Sequence, residues 1–234
     1  PPFIQITTND LKYKPYVTEY PENIIEQKIE SLINILRSNF NTEIITHRAG
    51  RWAINTRYMQ IINKYGITID CSVIPYHKMP PSSEYSQWGI VDYSDCRSCV
   101  YEIDTDNFKK SGKSGIFEVP LTAFDFYPSL RPIISKISTK ISNKYFQPIK
   151  LRPEQKNLND LLKIVNIASK RKLSFIEFMI HSSELMPNCS LAFPDAESIE
   201  KLYKDLDKLF SYISLYFKGM TLKDYIEQYR NGNV

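Results

Sequence analysis

The stretch Glu43-Ile44-Ile45-Thr46-His47-Arg48-Ala49-Gly50-Arg51-Trp52, with Ile67-Thr68-Ile69-Asp70-Cys71-Ser72 after it, decides the fold class. Each opens on a short apolar run and turns polar at its end, as a strand does when its C-terminal end faces a site. Between them Asn55 stands at a helix N-cap position, Met59 and Ile62 point inward through Tyr65, and Gly66 fills the left-handed C-terminal place. The order strand, helix, strand predicts parallel neighbours in one sheet. The strands lack in/out alternation, which fits coverage on both faces.

Working outward, Phe3 to Thr7 reads as a short buried strand, and Ile25, Ile29, Leu32, Leu36 and Phe40 recur at helical spacing from Glu22 to Phe40. From Pro75 to Gly115 the pattern dissolves into Pro, Ser, Tyr and charged residues, a long loop of the functional kind. Ile116 to Thr122 is the next strand, Pro128 to Asn143 and Asn157 to Arg171 are helices, and Phe175 to Ile180 is the last strand. Asp195 begins a long amphipathic helix through Tyr216, and Thr221 caps a final short one. With no repeat and no linker, residues 1–234 read as a single α/β domain with a mainly parallel sheet. Its five clear strands are fewer than a closed β/α barrel needs.

The 234 residues are 42% hydrophobic and carry a net charge of +4, which excludes a disordered chain. A chain of this size buries roughly 70% of its unfolded surface and needs no disulfide staples. The near balance of 30 basic and 26 acidic residues argues against nucleic acid as the partner. No apolar run is long enough for a membrane span and no secretory signal is visible, so the expectation is a soluble, cytoplasmic protein. The cysteines are Cys71, Cys96, Cys99 and Cys189; the Cys96/Cys99 pair is only half a zinc site and reads as reduced loop cysteines.

In parallel α/β folds the chemistry gathers just beyond the strand C-termini. There the chain offers Arg48, Asp70 and, after the last strand, His181-Ser182-Ser183-Glu184-Leu185. An aspartate can take a proton from water, an arginine can orient that carboxylate, and a histidine can protonate a leaving amine. Taken singly the residues have plainer readings. His181 can be a hydrogen-bonded buried histidine, Arg48 and Arg51 salt-bridge partners, Asp70 a turn cap, Trp52 and Trp88 packing residues. His47 and His77 receive no role.

Arg48-Ala49-Gly50-Arg51-Trp52, followed by Tyr65-Gly66-Ile67-Thr68-Ile69-Asp70-Cys71-Ser72-Val73, resembles the middle motifs of the NodB-like polysaccharide deacetylases, carbohydrate esterase family four. Met179-Ile180-His181-Ser182-Ser183-Glu184-Leu185-Met186 is similar to the late histidine motif of the subgroup found in surface-polysaccharide clusters, with the long helix from Asp195 after it. The resemblance covers most of the chain, least in the Pro75 to Gly115 loop. It implies a distorted, incomplete (β/α) barrel. It also implies a hydrolase of non-peptide carbon–nitrogen bonds that removes acetyl groups from N-acetylated sugars of a polysaccharide or oligosaccharide, using a divalent metal, commonly zinc. By position Arg48 matches the arginine that orients the catalytic carboxylate, Asp70 the acidic residue of the fourth motif, and His181 the general acid. Arg51, Trp52 and Glu184 would contact substrate, Trp52 by stacking on a sugar ring.

The chain departs from the family pattern at its start. The early Asp pair and the closely spaced His pair that hold the metal are absent, and the three histidines are His47, His77 and His181. In the resembled subgroup the His pair lies just upstream of a Thr-Pro-Pro segment, and this sequence opens Pro1-Pro2, so the expectation is a barrel without its N-terminal strands. These residues cannot build the family's metal site. Two other readings stay open: a metal-free carbohydrate-binding or scaffold relative, and a glycosidase with Asp70 and Glu184 as its carboxylate pair.

Overall fold

The computed structural model describes residues 14–79, 91–137 and 147–233. In chain order the elements are α1 (Glu22–Asn39), β1 (Thr46–His47), α2 (Thr56–Lys64), β2 (Ile69–Asp70), β3 (Lys78–Met79), β4 (Val91–Asp92), β5 (Tyr101–Glu102) and β6 (Phe117–Glu118). They are followed by β7 (Ala123–Phe124), α3 (Arg131–Ile137), β8 (Ile149–Lys150), α4 (Leu158–Lys170), α5 (Ala196–Ile213) and α6 (Leu222–Arg230). The chain divides into two compact units, residues 1–120 with 221–234, and residues 121–220.

In the first unit a four-stranded sheet has the order β1-β2-β6-β5. The β1, β2 and β6 pairings are parallel, as the strand–helix–strand reading predicts, and β5 joins β6 antiparallel. Asn55 caps α2 through its side chain, accepting from Tyr58 N–H at 2.7 Å, and Gly66 takes φ +87° just past the helix end. A β-carbon at Gly66 would meet nothing, so the backbone angle alone selects glycine there. Helix α2 buries Met59, Ile61 and Ile62, and α1 buries Ile25, Ile29 and Ile33 on the face that meets α2. Thr221 caps α6, which lies against β2 and buries Tyr225 and Ile226.

The second unit is built on α4 and α5, packed on each other around Leu161, Ile164, Val165, Ala168 and Leu209. Asp195 caps α5 by accepting Ser198 N–H at 2.8 Å. The expected strand Phe175 to Ile180 runs without a ladder of its own. Thr122 explains this locally: its hydroxyl takes the Glu177 N–H at 2.8 Å, so a side chain occupies the donor a ladder would use. Thr122 N–H still bonds Glu177 C=O at 3.2 Å, and Met179 N–H bonds Leu151 C=O at 3.2 Å.

Two expected elements fall partly or wholly beyond this description. Phe3 to Thr7 lies outside the described residues, as does the part of the Pro128 helix past Ile137. The Pro75 to Gly115 stretch contains β3, β4 and β5, two residues each, that periodicity did not reveal. The described residues form an α/β fold with small open sheets.

Candidate functional site

The shared register of the parallel strands sets His47 opposite Asp70 and Asp70 opposite Glu118. Residues in register across a sheet point to the same face, so the three form one row at the C-terminal ends of β1, β2 and β6. Asp70 and Glu118 are fully buried. His47 Nδ1 donates to Asp70 Oδ1 at 2.5 Å; an ionised carboxylate only accepts, which places the ring proton on Nδ1. His47 Nε2 meets the Tyr58 hydroxyl at 2.9 Å.

Asp70 also organises the backbone beyond its own strand. Its Oδ1 accepts from Ser72 Oγ at 2.9 Å and its Oδ2 from Ser72 N–H at 3.0 Å. Ser72 Oγ in turn accepts Ala49 N–H at 2.8 Å, and Arg48 Nε donates to Cys71 C=O at 3.1 Å. The loop after β1 is thereby tied to the loop after β2. Glu118 adds a third tie: its Oε1 accepts Val73 N–H at 2.9 Å.

The tied loop carries Arg51 and Trp52, both with left-handed backbone at φ 56° and 59°. That region is sparsely used by bulky residues, and each costs about 1–2 kcal/mol there. Tyr93 donates its hydroxyl to Trp52 C=O, and Trp52 N–H bonds Ala49 C=O at 3.1 Å, which hold the strained turn. Arg51 is exposed and Trp52 half-buried, with the Arg48 guanidinium 5.6 Å from the Trp52 ring centre.

Burial pushes the Asp70 carboxyl up, but the hydrogen bond and charge of His47, with bonds from Glu118 and Ser72, outweigh it and hold the group below its ordinary value. Glu118 moves the other way. Burial first, and then the Asp70 charge, push it well above the carboxylate range. Burial likewise raises Tyr58 and Tyr93, each lifted further by Asp70, so both keep their protons.

In the second unit His181 is exposed and opens the turn Ser182–Leu185. Glu184 is buried; its Oε2 accepts His181 N–H at 3.0 Å and its Oε1 accepts Arg152 Nη2 at 2.6 Å. Of the expected site residues, the first unit thus brings Arg48, Arg51, Trp52 and Asp70 together, while His181 and Glu184 belong to the second. A cavity of about 220 Å³ in the second unit, lined by Leu158, Leu161, Phe193, Lys201 and Leu202, contains none of the six. No protein-family model matches the chain, nor does any curated protein or solved structure.

Sequence reasoning passed over His47, Ser72, Glu118 and Arg152. Glu118 had a signal, a lone acid inside the apolar run Ile116-Phe117-Glu118-Val119. His47 had none beyond its place next to the motif, because the register that pairs it with Asp70 is not written locally. The metal implied by the resemblance does not fit the side chains of the described residues. Among the described residues no three His, Cys, Asp or Glu groups are placed to share an ion. In the His47–Asp70–Glu118 row both imidazole nitrogens and both Asp70 oxygens already have protein partners. None of the four cysteines forms a disulfide; Cys71 and Cys96 are buried, Cys99 and Cys189 exposed.

Proposed function

We propose that this chain is a hydrolase of the polysaccharide deacetylase type, acting on N-acetylated sugars of a surface polysaccharide, on a distorted and incomplete β/α barrel. The observation that carries the reading is the Arg48 to Trp52 loop. It leaves a parallel strand at its C-terminal end, is bonded to the end of the neighbouring strand, and holds Arg51 and Trp52 in a backbone that stability alone does not reward. Such a loop presents an aromatic ring and a cation to a sugar, the ring for stacking and the guanidinium for hydroxyl or acetyl oxygens.

Hydrolysis of the acetamide adds water at the carbonyl carbon and breaks the C–N bond, giving acetate and a free amine. The amine leaves only when its nitrogen gains a proton, the role that the resemblance gives to His181, which is exposed. Asp70, fully buried and bonded to His47 and Ser72, acts through the loops it ties rather than on substrate. The described donors do not fit the family's metal, so no step is assigned to one.

Acetate release from N-acetylglucosamine oligosaccharides, with and without added zinc, tests the reading. His181→Ala is expected to lower the rate about 10²- to 10⁴-fold. The occupied donor set favours a second reading, a metal-free carbohydrate-binding relative. Oligosaccharide binding without acetate release under every metal condition would establish that one instead.

A further inference from the structure

We propose that Glu118 is a positioning residue of this site, sharing its carboxylic acid proton with Asp70 while accepting the Val73 N–H, and so locking the loop after β2. The proposal rests on the deacetylase reading only for what the locked loop serves. The geometry stands by itself. Asp70 and Glu118 are register partners on adjacent parallel strands, and both are fully buried. Two carboxylates facing each other in such a place cannot both be ionised.

The hydrogen bonds decide which one keeps the proton. Asp70 accepts from His47 Nδ1, Ser72 Oγ and Ser72 N–H, three donors that reward a negative charge. Glu118 has one donor, Val73 N–H on Oε1, and its buried Oε2 has no donor facing it among the described residues. A hydroxyl at Oε2 turned toward Asp70 satisfies that atom and adds a donor to the carboxylate. The other ionisable groups near Glu118 are Tyr93, Tyr101 and Cys96, with Tyr101 its register partner on β5. Burial raises all three, so each stays neutral and none offers Glu118 a cation.

The consequence reaches the substrate loop. Glu118 fixes Val73, Asp70 fixes Ser72, and Ser72 fixes Ala49 at the start of the strained turn. Loss of the shared proton would put two buried charges side by side and drive the two carboxylates apart, disturbing the loop that each one holds.

Glu118→Gln keeps one donor and one acceptor in the same shape without charge, whereas Glu118→Leu keeps bulk and removes both. In the full chain at pH 7, infrared spectroscopy is expected to show a deuterium-sensitive protonated-carboxyl band that Glu118→Gln removes. Hydrogen exchange at Val73 N–H is expected to stay near the parent rate in Glu118→Gln and to speed up about 10- to 100-fold in Glu118→Leu. If Glu118→Leu does not fold, the band and the Gln variant decide the matter alone. Absence of the band from the parent chain at pH 7, or a Gln variant whose Val73 exchange is accelerated tenfold or more, overturns the proposal. Both readouts are independent of acetate release, so failure of the deacetylase reading leaves them standing, and their failure leaves that reading untouched.

Discussion

Replacing His47 by alanine removes the partner that holds Asp70 ionised. The side chains of the pair are 13% and 0% exposed and meet at 2.5 Å, so little water screens them. Removing one member of a buried pair leaves the other charge uncompensated, typically costing about 3–5 kcal/mol. Asp70 keeps both Ser72 bonds, which argues for the lower end, about 3 kcal/mol. For a chain of this length that is a fall in Tm of about 6–12 °C. The pH dependence has a definite sign. Because the folded-state pKa of Asp70 is depressed, its contribution is present above the ordinary value of 3.8 and is lost as pH falls through the folded value. Without His47 burial is opposed only by the Ser72 and Glu118 bonds, so the Asp70 pKa rises, protonation relieves the stranded charge, and the variant's deficit is largest at pH 7 and narrows as pH falls. Urea unfolding followed by tryptophan fluorescence at pH 7 and pH 5 measures both effects. A double-mutant cycle with Asp70→Asn should give a coupling of about 1–3 kcal/mol. A loss under about 0.5 kcal/mol at pH 7, with parent-like pH dependence, would refute the reasoning.

The ion pair under the histidine turn can be tested in the same way: Arg152→Met strands Glu184, 4% exposed, and should cost about 3 kcal/mol, while Glu184→Gln, whose single amide oxygen keeps one of the two donors and leaves the 22% exposed Arg152 in reach of water, should cost less in thermal unfolding. Arg51→Gly relieves a left-handed backbone and is expected to raise stability by about 1 kcal/mol in urea while weakening oligosaccharide binding; a loss of stability there contradicts the strain argument. Thiol alkylation of the native chain at pH 7, read by peptide mass, should modify exposed Cys99 and Cys189 and spare Cys71 and Cys96, whose thiol is pushed up to about 12 by burial.

Helices and their ends were legible because their causes are local. Asn55, Asp195 and Thr221 each cap through a side chain bonded to an N–H three residues on, and a single sequence displays that spacing. The parallel β1–β2 pair was legible for a related reason, since the intervening helix allows little else. The short strands between Pro75 and Gly115 were not. Two-residue strands have no period to detect, and β5 exists only through its pairing with β6. The failed ladder at Phe175 to Ile180 has another cause, a threonine hydroxyl that competes with the backbone for the Glu177 N–H.

The site itself was half legible, and the missing half has one physical origin. Motif residues announce themselves by type, so Arg48, Arg51, Trp52 and Asp70 stood out in the sequence. What makes them a unit is register, a property of two strands at once. Sliding β2 by one residue against β1 would turn Asp70 to the other face and leave His47 facing a different neighbour. The cost of burying the His47–Asp70–Glu118 row is therefore also what enforces the register, because any slip strands a charge in the core. The lone Glu118 in an apolar strand marked that constraint. A residue whose burial is expensive and whose contacts run to loop backbones is positioned to hold those loops. Its substitution should therefore alter Arg51 and Trp52 without touching either side chain.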